Sequence, residues 1–173
     1  MHINPYGEDP VRLAIDLIVD PPATPEALVA RCRAAGVSDV PTPGVDLDDV
    51  RAFLADWLEV LDAPDEATRA ARLNVLLAGA SAYPRLTDHA DDGWHLHYRA
   101  PDLPLAGVLR ALISVGTALH LTGRGMHRLG RCAVAECHRP FADVSRTGRQ
   151  RYCSPACANR DAVRRHRTRA TVG

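Results

Sequence analysis

The sequence predicts an α+β protein: a mostly helical N-terminal domain with a small antiparallel strand pair, followed by a small module closed by a basic helix. Apolar patterns with helical and strand periodicity fill the first 123 residues. Residues 1–123 contain nine arginines and eighteen acidic residues, whereas residues 124–173 contain twelve arginines and three acidic residues. The net charges, −9 and +9, predict a domain boundary between 1–123 and 124–173.

The first element is predicted to be a strand. Between Pro10 and Pro21, apolar side chains occupy every second position: Val11, Leu13, Ile15, Leu17 and Val19. Asp16 would then lie on the opposite face of this strand.

Three amphipathic or capped helices are predicted next. Thr24 and Pro25 provide an N-cap and a first helical residue, and Gly36 a C-cap, so the first helix covers 25–35. Acidic residues at 46–49 begin the second helix, whose apolar stripe is Val50, Phe53, Leu54, Trp57, Leu58 and Leu61. The third begins at 64–66 and runs through Ala71, Val75 and Leu76 to about Gly79. Cys32, in the first helix, is expected to be a buried apolar side chain.

A second strand is predicted at Trp94–Tyr98, after the turn residues 91–93. His95 and His97 are two residues apart and therefore project from one face of this strand. They either lie on a solvated face or form a small-ligand or metal site, with Asp16 as a further contact.

Residues 103–121 predict a long central helix, opened by Pro104 and interrupted by Arg110 and His120. It is too short and too polar for a membrane span, and no other apolar run approaches the ~20 residues required. Residues 122–125, Thr-Gly-Arg-Gly, predict a hinge between the domains.

Four of the five cysteines form two closely spaced pairs in the basic part. Cys132 and Cys137 are separated by four residues, Cys153 and Cys157 by three, and fifteen residues lie between the pairs. Each pair can chelate from one tight turn while the insert brings the pairs together, so the spacing predicts one structural Zn²⁺. Two disulfides or an iron–sulfur cluster are the alternatives. We disfavour disulfides because residues 1–5 show no secretory signal, which favours a reducing cytoplasm.

The segment from Cys132 to Cys157, with Ala158-Asn159-Arg160 after it, resembles the CGNR zinc-finger family. Ala158 replaces the signature glycine, and the second cysteine pair is a compact CSPAC. The preceding 1–123 resembles the ABATE-type domain that precedes such fingers, including its His-containing strand. The resemblance implies a transcription regulator of bacterial type.

The C-terminal module is expected to resemble a zinc ribbon or treble clef. A first strand runs into Cys132, residues 141–144 and 150–152 form a hairpin around the turn 146–149, and a helix covers about 154–169. Arginines of the hairpin and helix predict contacts with DNA phosphates: Arg146, Arg149, Arg151, Arg160, Arg164, Arg165, Arg167 and Arg169. Asn159 either contacts bases or supports the zinc-binding turn, and we favour the second role.

The preferred function is DNA-binding transcription regulation, in which the basic module contacts DNA and the acidic domain senses a ligand or mediates assembly, for example as a homodimer. The alternative is an adaptor whose zinc finger binds a protein partner such as the transcription machinery. An enzyme is not expected, because no G-x-S-x-G, H-E-x-x-H, Walker or dinucleotide motif accompanies Asp16, His95 and His97.

Overall fold

Six helices and two two-stranded antiparallel sheets make up the part of the chain that the computed structural model describes, residues 7–37, 40, 44–88 and 94–170. In chain order the elements are α1 (Glu8–Val19), α2 (Pro25–Ala34), α3 (Leu47–Leu61), α4 (Glu66–Ala80), β1 (Arg85–Thr87), β2 (His95–His97), α5 (Leu105–Arg124), β3 (Leu129–Arg131), β4 (Pro140–Ala142) and α6 (Pro155–Ala170). The α+β prediction is therefore confirmed. The predicted turn at 91–93 lies outside the described residues.

The first element is a helix, so the predicted strand at Val11–Val19 is wrong. The segment is apolar at helical as well as alternating spacing, and α1 buries Val11, Leu13, Ala14 and Leu17 while Val19 is exposed. Glu8 and Asp9 occupy its first turn, where carboxylates favour the positive end of the helix dipole.

Two glycines allow α1 to pack closely on α5. A Cβ on Gly7, whose φ is +61°, would lie 1.8 Å from the carbonyl oxygen of Gly116, and a Cβ on Gly116 would lie 2.5 Å from Cβ of Pro10. Neither position can hold a larger side chain without moving the two helices apart. This close approach lets α1 pack directly against α5 in the core.

Helices α2, α3 and α5 lie where the sequence predicts them. Thr24 accepts a hydrogen bond from the amide of Ala27, and Asp46 accepts from the amides of Asp48 and Asp49, so both N-caps are formed. The predicted α3 stripe is buried except for the half-buried Leu58. Cys32 is fully buried, and burial raises the pKa of its thiol to about 11, as expected of an apolar core position.

The fourth helix is also confirmed, and Leu76 packs half-buried against the core. Leu73 and the aliphatic part of Arg69 are buried, whereas Val75 is 72% exposed.

Helix α5 is the centre of the protein and packs against α1, α3 and α4. By length and composition it could cross a membrane, yet 67% of its most apolar window is buried inside the protein. Trp57 of α3 donates its indole N–H to the hydroxyl of Thr117 on α5 at 2.9 Å, which satisfies a polar atom within the core. His120, which the sequence shows only as a polar interruption of this helix, is fully buried on it.

The predicted hinge at 122–125 is mostly helical, because α5 continues through Arg124 and ends at Gly125, whose φ is +119°. The following hairpin packs directly on the helical core. Leu129 of β3 and Ala142 of β4 belong to the same apolar cluster as the helices. Arg131 of β3 also forms a two-pronged ion pair with Asp62, at 2.9 and 2.6 Å. The basic module is therefore joined to the helices by shared packing as well as by the chain.

Buried Arg69 reinforces this junction. Its guanidinium donates to the carbonyl oxygens of Val60 at 3.1 Å and Leu61 at 2.9 Å, at the end of α3, and to that of Met126 just before β3. Three backbone acceptors in two parts of the fold thus share one side chain.

Replacing Arg69 by alanine should lower the free energy of unfolding by about 3 kcal/mol, because buried carbonyls lose a charged donor. Arg72→Ala is the matched control on the same helix. Arg72 donates a hydrogen bond to the carbonyl of Glu59 and forms an ion pair with the same residue, both at the surface. Its replacement should therefore lower the free energy of unfolding by less than about 1 kcal/mol. Denaturant unfolding of the zinc-loaded protein measures both, and equal losses would contradict the junction role of Arg69.

Candidate metal centre and basic helix

Four thiols converge in the C-terminal module. The Sγ atoms of Cys132, Cys137, Cys153 and Cys157 all lie within 4.8 Å of one another, with separations of 3.6 Å (Cys137 to Cys153), 3.7 Å (Cys137 to Cys157) and 3.8 Å (Cys153 to Cys157). A tetrahedron of sulfurs with Zn–S bonds of ~2.3 Å has edges of about 3.8 Å. The four cysteines therefore fit one structural zinc, as the sequence predicts.

A tight turn and the start of α6 place the ligands. Cys132 follows β3 directly, and the amide of Cys137 donates to the carbonyl of Val134, closing a turn that ends at His138 with φ +47°. Cys157 is the third residue of α6, where its amide donates to the hydroxyl of Ser154 at 3.3 Å. The second pair is thus set by a helix cap and the first by a turn.

The surroundings of Cys132 favour a thiolate. Burial raises its pKa, but hydrogen bonds from the amides of Cys153 and Val134 and from neighbouring thiols outweigh burial and lower the pKa to about 7. Burial, followed by hydrogen bonds with the other thiols, raises the pKa of Cys153 to about 12. Four adjacent thiolates would repel one another, and Zn²⁺ supplies the positive charge that offsets this repulsion.

The module has little apolar core of its own. Its buried cluster consists of Cys132, Val134 and Cys157, with Cys137, Tyr152 and Cys153 packed around it. Most of this cluster is the metal site itself. Zinc binding therefore supplies the stability that apolar packing supplies in larger domains.

A buried ion pair shapes the loop that carries Arg146 and Arg149. Arg128 and Asp143 are both nearly inaccessible and lie 3.3 Å apart. Asp143 accepts from the amide and hydroxyl of Ser145 and from the amide of Gln150, so the pKa of its carboxyl is lowered although burial alone would raise it. Gly148 covers the guanidinium so closely that a Cβ there would lie 2.8 Å from Cζ of Arg128.

The predicted hairpin of 141–144 with 150–152 is wrong. Strand β4 pairs instead with β3, with Leu129 opposite Ala142 and Arg131 opposite Pro140, so the hairpin encloses the first cysteine pair. Asp143 holds the loop after β4, and the carbonyl of Arg151 accepts from the amide of Ala133. Residues 150–152 are thus hydrogen-bonded to the side chain of Asp143 and to the first zinc-binding turn, and not to another strand.

Helix α6 is confirmed where predicted, and one polar contact orients it against the zinc site. The hydroxyl of Tyr152 donates to Asp161 at 2.7 Å, and Asp161 also pairs with Arg164 at 2.8 Å and with Arg165 at 3.1 Å. These partners lower the pKa of the Asp161 carboxyl. Sequence reasoning missed this contact, as it missed Arg128 and Asp143. The signal was that Asp143 and Asp161 are two of the three acids in a strongly basic segment.

The predicted phosphate-contacting arginines of α6 are all exposed: Arg160, Arg164, Arg165, Arg167 and Arg169. Arg164 also meets Glu136 at 3.5 Å, so part of its charge is used within the module. The three arginines of the preceding loop, Arg146, Arg149 and Arg151, are also exposed, and Arg151 lies 6.0 Å above the ring of Tyr152. The positive surface therefore extends from the loop after β4 to the end of α6.

The structure places the three candidate ligand residues of the helical part in two locations. His95 and His97 lie on β2, with their Nε2 atoms 3.2 Å apart, opposite Thr87 and Arg85 of β1. Asp16 lies on α1, where it pairs with Arg31 at 3.0 Å and lines a surface cleft of about 590 Å³ between α1 and α2. Among the described residues, the four cysteines are the one group of three or more metal-binding side chains, so Asp16 does not join the two histidines in a metal site.

A four-cysteine zinc site closed by an arginine-rich helix, packed on a helical domain, defines a zinc-finger protein. The family model for the CGNR zinc finger matches residues 128–170, and that for ABATE, described as "Putative stress-induced transcription regulator", matches residues 13–124. The chain belongs to the ABATE family and carries a CGNR zinc finger. Neither family is an enzyme family, and together they support a regulatory role. No curated protein matches the chain.

Removing one zinc ligand should dismantle the module. For Cys157→Ala we expect the zinc content to fall below one per chain and the β3–β4 amides to lose protection, because zinc contributes ~10–16 kcal/mol to modules of this kind. Cys32→Ala removes the remaining cysteine and should keep one zinc per chain. Elemental analysis after dialysis against a weak chelator measures both. Full zinc retention by Cys157→Ala would contradict the four-thiolate site.

Neutralising Asp143 should loosen the arginine loop without removing zinc. Asp143→Asn leaves the buried Arg128 without its carboxylate, so we expect a loss of about 3 kcal/mol and faster hydrogen exchange at the amides of Ser145 and Gln150. Glu136→Gln, which disturbs only an exposed pair with Arg164, is the matched control and should change neither quantity. Unchanged exchange at Ser145 and Gln150 in Asp143→Asn would show that the carboxylate does not hold the loop.

Proposed function

We propose that the protein is a cytoplasmic transcription regulator that binds double-stranded DNA through its zinc module. The observation that carries the proposal is the exposed arginine surface from the loop after β4 through α6, in a segment with a net charge of +9. DNA phosphates attract such a surface and release bound cations when they are neutralised. The regulatory family to which residues 13–124 belong supports the same function.

The structure offers a reason for dividing the chain into an acidic and a basic part. In the described part of the chain, acidic side chains of the helical part pair with the basic module at defined points, as Asp62 does with Arg131 and Glu8 with Arg124. Two arginines of α6, Arg164 and Arg165, have acidic partners within the module itself, Glu136 and Asp161. The acidic part therefore leaves the exposed basic surface available to a polyanion.

The helical part would sense a small ligand or mediate assembly. Two places in it support a sensing role: the cleft beside Asp16 and Arg31, and the histidine pair on β2. Because α1 contacts β4, a ligand that moved α1 would act directly on the hairpin that positions the zinc site.

DNA binding should depend strongly on salt. The logarithm of the binding constant should fall against the logarithm of salt concentration with a slope of ~0.9 per phosphate neutralised. Arg160→Ala and Arg167→Ala should each reduce the slope by about 1, because each removes one exposed cation from α6. Arg33→Ala, an exposed arginine of α2, should leave it unchanged. Fluorescence anisotropy with a labelled random-sequence duplex measures all four proteins.

An absence of salt-dependent binding by the zinc-loaded protein would contradict the proposal. Retention of a protein partner after nuclease treatment, without DNA binding, would instead support an adaptor.

A further inference from the structure

The side chains of α6 are divided into three longitudinal zones. At ~100° per residue, Cys157, Asp161 and Arg164 share the side that faces the zinc site. Asn159, Ala162, Val163 and His166 lie on the opposite side, and all four are exposed. We call these four residues the central strip.

Arginines border the central strip on both sides. By the same angular spacing, Arg160 and Arg167 lie along one border and Arg165 and Arg169 along the other. The strip itself consists of an amide, two aliphatic side chains and an imidazole, and contains no carboxylate or guanidinium. An uncharged strip between two rows of cations fits an α-helix in the DNA major groove, where base edges lie between two phosphate backbones.

The chemistry of the strip also fits base edges. Val163 is 51% exposed on α6, and burial on the protein does not account for this large apolar side chain. Asn159 is exposed, and its side chain forms no hydrogen bond within the described residues. The sequence favoured a role for Asn159 in supporting the zinc-binding turn. Within the described residues, no hydrogen bond of its side chain supports that role.

We propose that the central strip of α6 lies in the major groove, where Asn159 forms paired hydrogen bonds with an adenine and Val163 packs against a thymine methyl group. The inference rests on the DNA-binding function proposed above and assigns sequence specificity to residues that are not cationic. An amide matches the N6 donor and N7 acceptor of adenine, and an apolar side chain matches the C5 methyl of thymine. From Asn159 to His166 the helix rises ~10 Å, which is about three base pairs.

Base substitution tests the inference on the zinc-loaded full-length protein. A binding site is first selected from a random duplex pool, and its thymines are then replaced one at a time by deoxyuridine and its adenines by 7-deazaadenine. We expect one deoxyuridine and one 7-deazaadenine position to weaken binding by the wild-type protein, the latter by about tenfold. Val163→Ala should lose sensitivity to the first and Asn159→Ala to the second.

Affinity for random-sequence DNA separates base contacts from general effects. Asn159→Ala should weaken binding to the selected site by about tenfold and leave binding to random DNA unchanged. Arg169→Ala, the control from the border, should weaken both equally. The zinc content and circular dichroism of each variant establish that α6 is intact.

The possible failures are distinct. If the protein binds DNA with salt dependence but neither base analogue nor Asn159→Ala changes the preference for the selected site, the central strip does not contact bases and the proposed function stands. If the protein shows no salt-dependent DNA binding at all, the proposed function itself is wrong.

Discussion

The geometry of the C-terminal module depends on one constraint, the convergence of four cysteine sulfurs on a single zinc. The buried cluster of this module is essentially the metal site with Val134 and Tyr152 beside it. Apolar burial on this scale cannot offset the conformational entropy of ordering about forty residues. Zinc binding therefore decides whether the two cysteine turns and α6 are held in a fixed arrangement next to the β3–β4 hairpin, which is also anchored by its packing on the helical core.

Around the metal, a few charged contacts fix the orientation of α6 and of the arginine-bearing loop. Asp161 accepts a hydrogen bond from the hydroxyl of Tyr152, which fixes the rotation of α6 about its axis. The ion pair of Asp143 with Arg128 fixes the loop that precedes the second cysteine pair. The acids in this segment are thus positioning residues within an otherwise basic surface. The outward face of α6 follows from these inward contacts, because a helix held at Cys157 and Asp161 must present Asn159 and Val163 to solvent.

The zinc ligands, α6, the central helix and the strand with His95 could be predicted from the sequence, because each has a local signal in spacing, periodicity or capping. Helix α1 could not, since its apolar residues satisfy both strand and helix periods, and its packing on α5, with Gly7 close to Gly116, is a long-range contact that no local pattern contains. The pairing of β4 with β3 was also missed. It depends on long-range contacts of Leu129 and Ala142 with the helical core, which no local pattern contains. The expectation that Asp16 lies beside the two histidines rested on the same wrong assignment of α1 as a strand.

The central claim is that zinc positions the arginine surface that binds DNA. The most direct measurement is a titration of zinc into chelator-stripped protein while its binding to a labelled duplex is followed at fixed salt by fluorescence anisotropy. The account predicts weak binding without metal and a rise that reaches its plateau at one zinc per chain, because α6 is anchored only when all four thiolates are coordinated. DNA affinity that is the same with and without zinc would contradict it.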